Sequence, residues 1–209
     1  AFAGTVTFAT DSGSAVTIVD TTALDLKALS AASLSVTAGG AVTDSGTLAI
    51  TGATTLNSGS ADLTLDQSAS TFGTLAITGA NVAVTENAAM DLGASTISGT
   101  ASFNSTSNAI TDSGTLAITG ATTLNSGSAD ITLNEAASTF GTLAITGTNV
   151  AVTENAAMDL GASTISGTAS FNSSNNAITD SGTLAITGVT TLNSGSADLT
   201  LDEAASTFG

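Results

Sequence analysis

The chain of 209 residues contains no Cys, His, Trp, Tyr or Pro, and Lys27 is its only basic residue against 17 acidic ones, for a formal net charge of −16. That composition excludes zinc fingers, Cys–His nucleophile pairs and Ser–His–Asp triads, and with them the basic footprint that nucleic acid or an anionic membrane surface requires. A hydrophobic fraction of 42 % is nonetheless enough for a buried core, which separates this acidic chain from disordered ones.

The first residues, Ala1-Phe2-Ala3-Gly4, show neither a charged n-region nor a long apolar h-region, so no signal peptide is read there. Nowhere does an apolar run approach the roughly 18 residues of a membrane helix. Residues 1–45 read as a diverged partial repeat, in which Thr22-Ala23-Leu24-Asp25-Leu26 answers Ala88-Ala89-Met90-Asp91-Leu92. The full unit opens at Gly46-Thr47-Leu48-Ala49-Ile50-Thr51-Gly52, which recurs from Gly114 and from Gly182, a period of 68 residues. Residues 46–113 form repeat 1, 114–181 repeat 2 and 182–209 a truncated repeat 3, and the two full copies differ at seven positions. Beginning and ending at one phase of the repeat, the chain reads as a segment of a longer array.

Within the first unit Gly46–Thr51 returns as Gly73-Thr74-Leu75-Ala76-Ile77-Thr78, and more faintly as Ser95-Thr96-Ile97-Ser98-Gly99, dividing the unit into stretches of 27, 22 and 19 residues. Each stretch holds about three short β-prone runs separated by Gly, Asn, Ser or Asp. Alternation is strict in places, as in Asp62-Leu63-Thr64-Leu65-Asp66, with Leu inward and Asp and Thr outward. No helical period competes with it, and runs of Thr, Gly and Ser make poor helices. The expected fold is all-β: a parallel β-helix or solenoid with about three coils per 68-residue repeat, about nine coils in all, forming one continuous rod of roughly 43 Å at a rise of about 4.8 Å per coil. A string of small β-sandwiches would call for about 100 residues per unit and more large aromatics, and would leave the internal period unexplained.

The two copies, compared with one another, separate surface from interior. Asp66-Gln67-Ser68 becomes Asn134-Glu135-Ala136, and Thr106-Ser107 becomes Ser174-Asn175, both as expected of exposed turns. Leu63 becomes Ile131, the volume-conserving exchange of a buried site.

The polar residues yield no catalytic, cofactor-binding or metal site. Asp62 and Asp66 share a strand face but lie about 13 Å apart at strand rise, too far for a glycosidase pair, so the acids Asp62, Asp66, Glu86, Asp91 and Asp112 read as a solvated acidic face. Calcium is the one ion such carboxylates would suit, yet neither a calcium nonapeptide nor an EF-hand loop is present. Coil alignment is expected to stack Asp91 between Thr64 and Thr111, with like charges recurring every third coil. Asn57, Asn104, Asn108, Asn125 and Asn172 sit where strands end and read as turn formers; Asn104-Ser105-Thr106 also fits the N-glycosylation pattern. Phe72 and Phe103 read as core fill rather than as sugar platforms. Thr5-Val6-Thr7 is the one clear outward Thr-x-Thr of the kind an ice-ordering face would repeat.

Segments such as Ala109-Ile110-Thr111-Asp112-Ser113-Gly114-Thr115-Leu116, and Asn81-Val82-Ala83-Val84-Thr85-Glu86 running on to Met90-Asp91-Leu92-Gly93-Ala94-Ser95-Thr96, resemble repeats of the filamentous-haemagglutinin-like large bacterial adhesins. The resemblance covers the whole chain. It implies a right-handed β-helix, export to the bacterial cell surface or beyond, and work in adhesion or biofilm. The secretion-directing domain of that family, an Arg-Gly-Asp tripeptide and a basic heparin-binding stretch have no counterpart in this sequence. The expectation is a non-enzymatic structural segment of a cell-surface filament, adhesin stalk or biofilm-matrix fibre. It would associate with itself end to end or side by side, with surface glycans as further partners, no nucleic acid and no membrane insertion. The alternative is a module binding carbohydrate, calcium or ice.

Overall fold

A computed structural model describes Phe8 and residues 10–209 of the chain. It is all-β, with parallel strands stacked as a solenoid of about ten turns. Two broad sheets, of 12 and 13 strands, run the length of the rod, and near one end a separate two-stranded ladder pairs Leu29–Ala31 with Leu48–Ile50. Along the strands exposed and buried positions alternate, as in Ala15–Asp20 and Ser33–Ala38. This is the period-2 pattern that places Leu, Ile and Val inside and Thr, Ser and Asp outside. The inward residues of both sheets merge into one continuous core. Strand ladders supply the backbone hydrogen bonds from coil to coil, so the peptide groups of the interior are satisfied without helices.

The all-β parallel solenoid is thus the fold expected from the repeat. Its coils, however, do not coincide with the 27-, 22- and 19-residue stretches. Residues in register on successive coils are between 17 residues apart, Thr74 to Asp91, and 22 apart, Ala49 to Thr71. Leu48–Ile50 and Thr74–Gly79 carry the same sequence yet never stack on each other: the first pairs with Leu29–Ala31, the second with Ala53–Asn57. The internal echo therefore reports a shared strand sequence, not a shared place on the coil. Cross-sections differ as well. The six-residue strand Thr74–Gly79 spans the ground that Met90–Leu92 and Ser95–Ile97 together cover one coil later.

One outward column of the 12-stranded sheet measures the period. It passes through Ala53, Thr74, Asp91, Thr111, Thr132, Ala151, Ser170 and Thr191 in seven steps. Those seven coils consume two repeat lengths and two residues. One repeat therefore winds through about three and a half coils, rather than three, and consecutive copies emerge half a turn apart. Accordingly Met90–Leu92 lies in the 12-stranded sheet and its copy Met158–Leu160 in the 13-stranded one, while Ala101–Asn104 and Ala169–Asn172 are exchanged in the opposite sense.

Candidate functional site

Asp91 stacks between Thr74 and Thr111; Thr64, its expected neighbour, belongs to the other sheet beside Thr43 and Ala83. The Asp91 Oδ2 accepts hydrogen bonds from the hydroxyls of Thr74 and Ser113, both at 2.8 Å. Asp159 repeats the arrangement with Thr142 and Ser181. Asp25, at the same place in the leading partial repeat, accepts from Ser45 and pairs with Lys27 at 2.8 Å. The Lys27 ammonium, followed by the Ser45 hydroxyl, holds the Asp25 carboxyl below the usual range. Because copies alternate between sheets, these acids recur on one face only every seventh coil, about 34 Å apart at a rise of about 4.8 Å, instead of every third.

At one corner Asp62 Oδ1 accepts from the amide and the side chain of Asn81, whose own Oδ1 accepts from the amide and hydroxyl of Thr100. Asp130, Asn149 and Thr168 form the same three-rung ladder one repeat on. At another corner Asp44 accepts the Asp66 amide, Asp112 those of Asn134 and Glu135, and Asp180 that of Asp202. Burial pushes the Asp44 carboxyl up, opposed by that amide. Asp66 takes part there through its backbone amide, while its Oδ1 accepts from the Gln67 side chain.

The asparagines expected at strand ends perform turn chemistry. Asn57 and Asn125 accept from the amides of Gly59 and Gly127, Asn104 and Asn172 from those of Thr106 and Ser174, and Asn108 donates to the Ser105 and Thr106 carbonyls. Gly59 and Gly127 lie at positive φ, where glycine is unstrained, whereas Thr106 and Ser107 reach the same region without it. Phe72, Phe103, Phe140 and Phe171 are buried, as are Leu63 and its replacement Ile131. The 66–69 turn is largely exposed. Thr5-Val6-Thr7 lies outside the described residues.

Five acids depart from a solvated face, Asp20, Asp44, Asp180, Glu86 and Glu154, and the two glutamates are the most completely buried. Glu86 and Glu154 are fully buried. Each Oε2 accepts one backbone amide, from Phe72 at 2.8 Å and from Phe140 at 2.9 Å, and each Oε1 has no hydrogen-bond partner. Burial pushes Glu86 up to about 7 and Glu154 to about 8. The signal was present in the alternation: Val82, Val84 and Glu86 share one strand face, and that face is the core.

Among the described residues no three acids converge as metal ligands, and no helix is long and apolar enough to cross a membrane. An open hollow of about 330 Å³ lies against the last coil, lined by Leu192, Leu201 and Phe208 among others. The copies of these three one repeat earlier, Leu124, Leu133 and Phe140, are core residues. The hollow is therefore a stretch of core face left uncovered at the last described coil.

Three consecutive segments, residues 13–78, 79–146 and 147–209, match the family described as repeats of unknown function (DUF5649). The chain belongs to that family. Its units start at a different phase from Gly46 but run to nearly the same length, and three of them fill almost the whole solenoid. No curated protein and no solved structure matches the chain.

Proposed function

We propose that this chain is a structural segment of an extended, secreted β-solenoid that serves as a cell-surface filament, adhesin stalk or biofilm-matrix fibre. The observation that carries the reading is the uninterrupted register of parallel strands through about ten turns, with the same core residues recurring at each repeat. Backbone hydrogen bonds between coils run along the rod, so a pull on its ends is shared by all the strands of a cross-section. The polar side chains support the same reading: Asp25, Asp62 and Asp91 spend their hydrogen-bonding capacity on neighbouring coils, and the turn asparagines spend theirs on the backbone of their own corners. Net negative charge keeps parallel rods soluble. Location at the bacterial surface, and adhesion as the task, follow from the resemblance to haemagglutinin-like repeats. Because equivalent residues emerge on both faces, side-by-side contacts would be available equally on either side of the rod.

Negative-stain electron microscopy of native material carrying the repeat tests this. Thin filaments much longer than the roughly 48 Å spanned by ten coils are expected. Short discrete particles would overturn the fibre reading and favour a binding module, to be assayed against calcium, glycans and ice.

A further inference from the structure

The side chains of Glu86 and Glu154 stand apart from the outward polar ladders, and among the described residues no charged group neutralises them. The strand Val82–Thr85 alternates so that the next side chain, Glu86, points inward; Val150–Thr153 does the same for Glu154 on the opposite sheet. The preceding coil brings Ser70, Thr71 and Phe72 to Glu86, the following coil brings Asn104, Ser105 and Thr106, and its own turn continues through Asn87 and Ala88. None of these carries a titratable or charged side chain. Around Glu154 the corresponding residues are Ser138 to Phe140, Asn172 to Ser174, and Asn155 and Ala156, again without charge. No charged side chain acts on either carboxyl, and the single cation of the chain, Lys27, is paired with Asp25.

The place is a joint between coils. Asn87 donates its amide to the Ser70 carbonyl, Ser70 receives the Leu48 amide on its hydroxyl, and Glu86 donates its amide to the Asn104 carbonyl. Four consecutive coils are thus linked through one corner, with the carboxyl at its centre. Ser138, Leu116, Asn155 and Glu154 reproduce it.

We propose that Glu86 and Glu154 make the stacking of coils proton-dependent: each is a neutral carboxylic acid in the folded rod, and loss of its proton loosens the corner that joins neighbouring coils. An ionised carboxylate with one amide donor, one unpartnered oxygen and no counter-charge in a fully buried corner is strongly disfavoured. The rise of these groups to about 7 and about 8, from an ordinary value of 4.5, expresses the same cost. In the unfolded chain both glutamates ionise near 4.5, so above that pH the folded state holds one more proton at each. The stabilisation is complete below about 4.5 and is lost as pH rises towards 7 and 8, after which the folded groups ionise too and the profile levels off. Across that window the folded-to-unfolded ratio falls about tenfold per pH unit for each glutamate, about a hundredfold for the pair. The device operates whether the rod is a fibre or a binding module, and every added repeat brings another such joint.

The test is urea unfolding of the whole chain between about pH 5 and pH 8, comparing the wild type with the double variant Glu86→Gln/Glu154→Gln. Glutamine keeps the shape of the neutral acid, still accepts the Phe72 and Phe140 amides, and does not ionise. The wild type should lose stability steeply with rising pH. The double variant should lose most of that slope and be the more stable protein at the alkaline end. A flat wild-type profile, or a variant with the wild-type slope, would overturn the proposal. Should the double variant fail to fold, infrared spectroscopy of the wild type decides: a protonated carboxyl band that persists at about pH 6, where exposed carboxylates have ionised, supports it, and absence of that band overturns it.

Discussion

Asp91 and Asp159 hold the same position in consecutive repeats, accept the same pair of hydroxyls, and lie on opposite sheets of the rod. A repeat of three and a half coils produces this exchange, so the molecule shows near-identical chemistry on two faces without being symmetric about either. A ligand that recognised one repeat would meet its next site half a turn away, about 17 Å along the axis at the coil rise.

Fluorescent labelling checks the half-turn directly, since the chain has no native cysteine. Thr111 and Thr132 are register partners on adjacent coils, so pyrene attached through Thr111→Cys and Thr132→Cys should give strong excimer emission. Thr111 and Thr179 are repeat equivalents on opposite sheets. Labels there should give none. Three coils per repeat would instead return Thr179 to the face of Thr111.

Gly114 is a point of close approach rather than of unusual backbone angle. A Cβ at that position would fall against the Ala94 amide of the coil below. Gly114→Ala should therefore prise the two coils apart and cost about 1–3 kcal/mol or more, read as a lower urea midpoint. Gly59→Ala supplies a contrast, because its Cβ would meet nothing and only the positive φ opposes it.

Thr54 and Thr122 are buried with hydroxyls that have no partner. Valine has the same shape without the hydroxyl, so Thr54→Val and Thr122→Val should each stabilise the fold by about 1 kcal/mol. Thermal denaturation would reveal this as a raised midpoint for each variant and a roughly additive rise for the pair, the sites being separated by several coils.

Phe103 is among the largest fully buried side chains, packed in register between Val84 and Leu124. Phe103→Ala should cost about 3–5 kcal/mol through lost burial and the cavity left behind. The surface counterpart, Ser102→Ala, on the exposed side of the same strand, should change the unfolding midpoint little.

The sequence alone determined the class of fold, the length of the repeat and most of the core. Alternation such as Asp62-Leu63-Thr64-Leu65-Asp66, and the exchange of Leu63 for Ile131, are local signals, and a strand's two faces are set by its own period of two. The turn roles of Asn57, Asn104 and Asn108 were legible for the same reason, since each binds backbone within three residues of itself. What only the tertiary structure decided was how many residues close a coil. That number depends on how corners such as the one at Ser70–Phe72 pack on their neighbours, and sequence similarity between Leu48–Ile50 and Thr74–Gly79 carries no information about it. From the coil length follow the neighbours of Asp91, the alternation of faces and the spacing of charge. The burial of Glu86 lay between the two: its inward direction was written in the strand, but the absence of any compensating charge around it emerged only when the coils above and below were in place.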